Sequence, residues 1–153
     1  MTKKLWYDWR EMRRDVNSLC REIVLDKFDP NVIVGLSRGG LTPGVMMSHW
    51  MKKPFKPIKT SLRDFPEWED YLPKKTDERV LIVDDVCDSG ETFHKISAYI
   101  NDRKKNGVDV RFAVLYWNNE CNFEPHYYAQ EIAKDSTNTW IHFPWESWWN
   151  TPV

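Results

Sequence analysis

Residues 80–92, Val80-Leu81-Ile82-Val83-Asp84-Asp85-Val86-Cys87-Asp88-Ser89-Gly90-Glu91-Thr92, constrain the fold more than any other part of the chain. Four consecutive aliphatic residues run into two carboxylates, then a turn carrying Ser and Gly, then a helical pattern. An apolar run of that length between turn signals reads as a fully buried strand of a parallel sheet. Open α/β sheets bind their ligands at the carboxyl ends of such strands. Adjacent Asp84 and Asp85 repel each other there unless cations or hydroxyl donors offset them. The Ser89-Gly90-Glu91-Thr92 turn offers backbone N–H groups and hydroxyls at a helix N-terminus, which suits an anion. Acceptors for hydroxyls or a metal thus stand beside donors for a phosphate, as a phosphorylated sugar requires.

A second buried-strand pattern, Val32-Ile33-Val34-Gly35-Leu36, runs into Ser37-Arg38-Gly39-Gly40 and then a helix opened by Leu41-Thr42-Pro43, with Pro suited to a first turn. The glycine pair permits close approach of backbone to ligand or a positive φ. Arg38 adds a cation beside amides at a helix N-terminus, so this loop is expected to hold a second anion. In the helix that follows, Val45, Met46, His49 and Trp50 share one face or lie near it.

Upstream, Asp8 followed by Glu11 has the form of a capping box. Met12, Val16, Leu19, Cys20 and Ile23 then recur at helical spacing, and Phe28-Asp29-Pro30 ends the helix. Residues 54–59 read as a third, shorter strand. Residues 60–78 are polar and interrupted by proline, and a loop of that length is expected to act as a lid over the site. Phe93, Ile96 and Ile100 mark the helix after the opening stretch, ended by Asn106-Gly107. Val110–Trp117 is the next strand, Tyr127-Tyr128-Ala129 an edge strand, and the tail carries four of the nine tryptophans between Trp140 and Trp149. Strands alternating with helices give an α/β fold with a mostly parallel sheet flanked by helices.

The 153 residues suit one domain, 1–153, with a charge balance of 22 Lys+Arg against 23 Asp+Glu that advertises no nucleic-acid surface. No stretch is long and apolar enough for a membrane span or signal peptide. Cys20, Cys87 and Cys121 have neither metal-ligand spacing nor a disulfide framework, which favours a reducing, cytoplasmic setting. The four histidines share no ligand spacing, and Cys87 is expected to be a small filler.

Val80–Thr92 resembles the PRPP-binding motif of the type I phosphoribosyltransferases: a hydrophobic run, two acidic residues, two variable ones, then Asp-Ser/Thr-Gly-x-Thr. Leu36–Leu41 resembles the pyrophosphate loop of the xanthine–guanine and hypoxanthine branches. Thr139-Trp140-Ile141-His142-Phe143-Pro144-Trp145-Glu146 is similar to the base-binding tail of bacterial xanthine–guanine phosphoribosyltransferase. The three matches come in the family's order and span essentially the whole chain.

The resemblance implies a single-domain type I phosphoribosyltransferase-like fold, with residues 120–153 as a hood or base-binding tail. It implies transfer of the 5-phosphoribosyl group from PRPP to a nucleobase, a 6-oxopurine by analogy, in purine salvage. Asp84 and Asp85 match the pair on the ribose hydroxyls, Asp85 also contacting Mg²⁺. Asp88 matches the general acid/base. Ser89, Gly90, Glu91 and Thr92 match the 5′-phosphate cradle, and Ser37, Arg38, Gly39 and Gly40 the pyrophosphate grip. Trp140 matches the aromatic that stacks on the base and Ile141 the backbone that reads its edge. Glu146 falls where an acidic residue lies near a second Mg²⁺. Family members commonly form dimers or tetramers, and a homo-oligomer is expected here.

One position departs from the family. Purine-handling members carry a Lys just after the strand equivalent to Val110–Trp117, where it recognises the 6-oxo group. This chain has Asn118, which both donates and accepts but carries no charge. A transferase for a pyrimidine or another heterocycle therefore stays open, as does a PRPP-binding regulator without catalysis.

Overall fold

The structure, a computed structural model, describes residues 2–59, 79–102 and 109–150, the side chains of 59 and 99–102 excepted. In chain order the elements are β1 (Lys3–Trp6), α1 (Trp9–Leu25), β2 (Val32–Ser37), α2 (Leu41–Met51), β3 (Phe55–Lys59), β4 (Arg79–Cys87), α3 (Glu91–Asp102), β5 (Asp109–Asn118), β6 (Tyr127–Ile132) and β7 (Thr139–His142), with a short 3₁₀ turn at Trp148–Asn150. The lid expected at 60–78 and the helix end at Asn106-Gly107 lie outside the described residues.

Five strands form one parallel sheet in the order β3-β2-β4-β5-β6. Their alternation separates two cores. Ile33, Leu81, Val83, Ala113 and Leu115 face Met12, Val16, Leu19, Cys20 and Ile23 of α1 and Met47 of α2. Val34, Leu36, Val80, Ile82, Phe112 and Val114 face Phe93 and Ile96 of α3. The sheet is therefore covered on both sides, which is why its inner strands are apolar at successive positions. Tyr127 and Tyr128 fall in the edge strand expected for them.

The capping box is present: Glu11 N–H donates to Asp8 Oδ1 at 2.7 Å and Asp8 N–H to Glu11 Oε2 at 3.0 Å. In α2 the buried stripe is Pro43, Gly44 and Met47, while Val45, His49 and Trp50 point outward. The reason is local. Gly44 lies under the ring of Phe55, so this is the face that meets β3.

The N-terminal residues contribute a strand that periodicity does not show. β1 is four residues long with only Leu5 partly buried, and it pairs in parallel with β7 at Lys3↔Thr139 through Trp6↔His142. Strands this short owe their existence to the partner rather than to their own pattern. This two-stranded unit is a hood separate from the main sheet, while Tyr127–Ile132, inside the 120–153 segment, is the main sheet's edge.

Candidate active site

The chain moves outward from β2 to β3, then crosses to β4 on the other side of β2. The crevice between β2 and β4 is thus the topological switch point, where α/β sheets bind ligands. The loops that leave these two strands meet there.

Gly39 and Gly40 make the meeting possible, though by packing rather than by positive φ. A Cβ on Gly39 would overlap the Asp85 carboxylate, and one on Gly40 would overlap the Val83 carbonyl. The Ser37–Arg38 peptide is cis, and the Arg38 side chain is exposed. Gly40 N–H donates to the Leu36 carbonyl at 2.8 Å and Leu41 N–H to that of Arg38 at 3.1 Å, closing the turn into α2.

Asp84 and Asp85 end the apolar run of β4. Asp85 N–H donates to Asp84 Oδ1 at 2.9 Å, and Val86 N–H to Asp85 Oδ1 at 2.7 Å. Burial first, then the charge of Asp85, pushes the Asp84 carboxyl well above the usual carboxylate range. Burial likewise raises Asp85, against the hydrogen bonds that favour its charged form. No Lys or Arg pairs with either carboxylate among the described residues. Two hard oxygen donors crowded together without a cation fit a divalent ion with several retained waters. Glu146 belongs to the same neighbourhood: burial raises its carboxyl, Asp85's charge raises it further, and His142 and Arg38 pull it back.

Beyond Asp88, the Ser89–Thr92 turn curls over a cavity of about 90 Å³ lined by Asp84, Val86, Cys87, Asp88, Ser89, Gly90, Thr92 and Phe93. Gly90 has φ of 77°, and a Cβ there would stand 2.7 Å from Cβ of Phe123. Here glycine is required both by φ and by space. Ser89 Oγ accepts from Glu91 N–H at 3.2 Å, and Glu91 turns outward to Lys95 at 2.8 Å. Glu91 therefore contributes its backbone to the turn, while its carboxylate serves the helix surface. Cys87 is buried with Sγ 3.9 Å from that of Cys121, filling space beneath the loop as expected.

The tail brings Trp140 to the same edge, 53% exposed, whereas Ile141 is buried in the core that α1 shares with the sheet. Asn118 is 1% exposed and fully engaged. Its Nδ2 donates to the Asp88 carbonyl at 3.0 Å and to Asp135 Oδ2 at 3.4 Å, and its Oδ1 accepts from the N–H groups of Glu120 and Lys134. The sequence singles out neither Lys134 nor Asp135. Yet Lys134 Nζ lies 2.7 Å from Asp88 Oδ2 and 5.0 Å from the Trp140 ring centroid. A Lys beside an acidic residue in a loop carries no sequence signal, because the contact spans 46 residues.

The profile of the phosphoribosyl transferase domain matches residues 6–150. The chain belongs to this family. Among curated relatives, the xanthine-guanine phosphoribosyltransferase of Idiomarina loihiensis is 26% identical, over 94% of this chain and 88% of that protein. The enzyme of the same name from Chromohalobacter salexigens is also 26% identical, over 90% of this chain and 81% of its own. Among solved structures, the purine phosphoribosyltransferase of Pyrococcus horikoshii superposes with TM-score 0.72 at 26% identity, covering 98% of this chain and 97% of that one. The xanthine-guanine-hypoxanthine phosphoribosyltransferase of Helicobacter pylori gives TM-score 0.78 with 94% of each chain covered, and at 19% identity speaks for the fold alone. As a phosphoribosyltransferase the chain is a transferase, and its central parallel sheet flanked by helices matches the fold of these structures.

Proposed function

We propose that this phosphoribosyltransferase moves the 5-phosphoribosyl group of PRPP onto a free 6-oxopurine and releases pyrophosphate, a purine-salvage reaction. The observation that carries this reading is the Asp84–Asp85 pair, without a Lys or Arg partner among the described residues, set between the Arg38 loop and the Ser89–Thr92 loop. A sugar with phosphate at one end and pyrophosphate at the other matches that order of donors and acceptors. The exposed face of Trp140 lies beyond it for a planar base.

In the reaction the bond from C1 of the ribose to the pyrophosphate oxygen breaks, and a bond from C1 to a ring nitrogen of the base forms. The electron pair of the broken bond leaves with pyrophosphate, where the Arg38 side chain and the N–H groups of Arg38 and Gly39 meet the growing charge. Asp84 and Asp85 hold the ribose hydroxyls, so the sugar stays in place while C1 becomes electron-poor. Asp88 takes the proton that the base nitrogen loses and passes it to water. Mg²⁺, held by Asp85 and by Glu146 at a second position, supplies neutralisation of the pyrophosphate charge when bound. Three free thiols suit a reducing, cytoplasmic setting, and a dimer or tetramer is proposed on the family likeness and the exposed Trp148 and Trp149.

A base panel with PRPP and Mg²⁺, read by product mass, tests the reading. Guanine, xanthine or hypoxanthine is expected to yield the nucleoside monophosphate with one pyrophosphate released, and chelation to stop it. The Asp88→Asn variant is expected to lose about 100-fold or more in kcat while PRPP affinity in calorimetry stays near wild type. PRPP binding without turnover of any base would instead assign the chain to a binding role.

A further inference from the structure

Lys134 lies in the connection between β6 and β7, and its side chain is 12% exposed. Its backbone is fastened on both sides: its N–H donates to Asn118 Oδ1 at 3.1 Å, and its carbonyl accepts from Thr139 N–H at 3.0 Å. The Asn118 amide also holds the Asp88 carbonyl at 3.0 Å, so one buried side chain ties the connection to the phosphate loop. The result is an ammonium delivered between the Asp88 carboxylate, at 2.7 Å, and the Trp140 ring, at 5.0 Å.

An ammonium carries three N–H donors. Asp88 takes one, and the indole face takes the charge without using a directed donor. Among the described residues no other acceptor faces Lys134, although its side chain is nearly buried. A planar base that lies against Trp140 and gives its ring proton to Asp88 meets these spare donors along its edge. They satisfy an oxo oxygen or a ring-nitrogen lone pair, and they oppose an exocyclic amino group, which would place donor against donor.

We propose that Lys134 is the specificity-determining residue of the base site, reading a carbonyl on the base edge next to the nitrogen that Asp88 serves. Asn118 is its positioning residue: it fixes the Lys134 backbone and does not contact the base. The cation that selects an oxo base thus comes from the β6–β7 connection instead of the end of β5. This inference rests on the phosphoribosyl transfer proposed above.

Steady-state kinetics with hypoxanthine, guanine and adenine tests it, on wild type, Lys134→Met, Lys134→Arg and Asn118→Lys, with thermal melts and PRPP calorimetry on each. In Lys134→Met the KM for oxo bases is expected to rise about 10- to 100-fold, as for loss of a charged hydrogen bond. KM for PRPP is expected to hold within about twofold. Preference over adenine should fall in the same variant and return in part in Lys134→Arg. Asn118→Lys, which puts a second cation into the buried anchor, is expected to lower purine turnover. Wild-type turnover with an unchanged oxo-base KM in a folded Lys134→Met would overturn this inference alone, as would a gain of purine activity in Asn118→Lys. A wild-type chain that turns over no base would take the proposed function down with it.

Discussion

At the scale of single residues, the acidic pair sets function against stability. Asp84 accepts from the Asp85 N–H, and both carboxyls sit above their ordinary values because burial disfavours their charge. The folded chain therefore holds these protons more tightly than the unfolded chain does. Stability falls as pH rises through the folded-state value. Asp84→Asn should stabilise the ligand-free protein at pH 8 by on the order of 1 kcal/mol, read as a higher melting temperature. The gain should shrink as the pH is lowered into the range where the wild-type pair takes up its proton. The same variant should lose PRPP binding in calorimetry. A variant no more stable than wild type at pH 8 would mean that the pair is already neutralised in the free protein.

Among the elements, α1 shows how polar contacts join parts that hydrophobic spacing alone leaves loose. Its apolar stripe docks it on the sheet, but Asp15 lies in that stripe, 5% exposed. Asp15 Oδ2 accepts from Tyr7 Oη at 2.6 Å and from Gln130 Nε2 at 2.7 Å, and Oδ1 accepts from Arg14 Nε at 3.2 Å. Burial and the neighbouring carboxylate push the Tyr7 phenol upward, so it stays a donor across the working pH range. The triad fastens the residue just after β1 to α1 and to the edge strand β6. Tyr7→Phe removes one partner from a buried carboxylate and should cost about 1–3 kcal/mol. Thermal or urea unfolding measures it, and a cost near zero would show that water replaces the phenol. The capping box of the same helix was legible from Asp8 and Glu11, because it is local. The role of Asp15 was not, because its partners come from residues 7 and 130.

For the whole molecule, the site is shared between two units. The five-stranded sheet carries Asp84, Asp85 and the two glycine-bearing loops, and the β1–β7 pair carries Trp140. Trp6 lies against His142 with ring centroids 4.3 Å apart, so the N-terminal strand supports the tail close to Trp140. Deleting residues 2–6 should raise KM for the base by roughly an order of magnitude, about 1.4 kcal/mol, with PRPP affinity little changed. Equal losses for base and PRPP would show that the two units do not act separately. The proposed oligomer bears on the same scale, since Trp148 and Trp149 are 69% and 68% exposed beside the tail.

The sequence alone determined what depends on near neighbours along the chain. The apolar runs of β2 and β4, the acidic pair at the end of one, the glycines at the end of the other and the capped helix between turns are each set within a dozen residues. Their periodicity and turn chemistry made the parallel α/β sheet and the two strand-to-helix loops at its edge legible. Tertiary structure decided what depends on distant neighbours. It showed that Gly39 and Gly40 are small because Asp85 and Val83 need the space, and that Lys3–Trp6 becomes a strand only beside Thr139–His142. It also showed that the amide of Asn118 is spent holding Lys134 and the Asp88 loop together. A residue at the expected place in the sequence was engaged elsewhere, and a lysine sixteen residues on stood beside the site. Composition and spacing carry no record of such contacts, because the chain between them is free to take many paths until the sheet and the hood have closed.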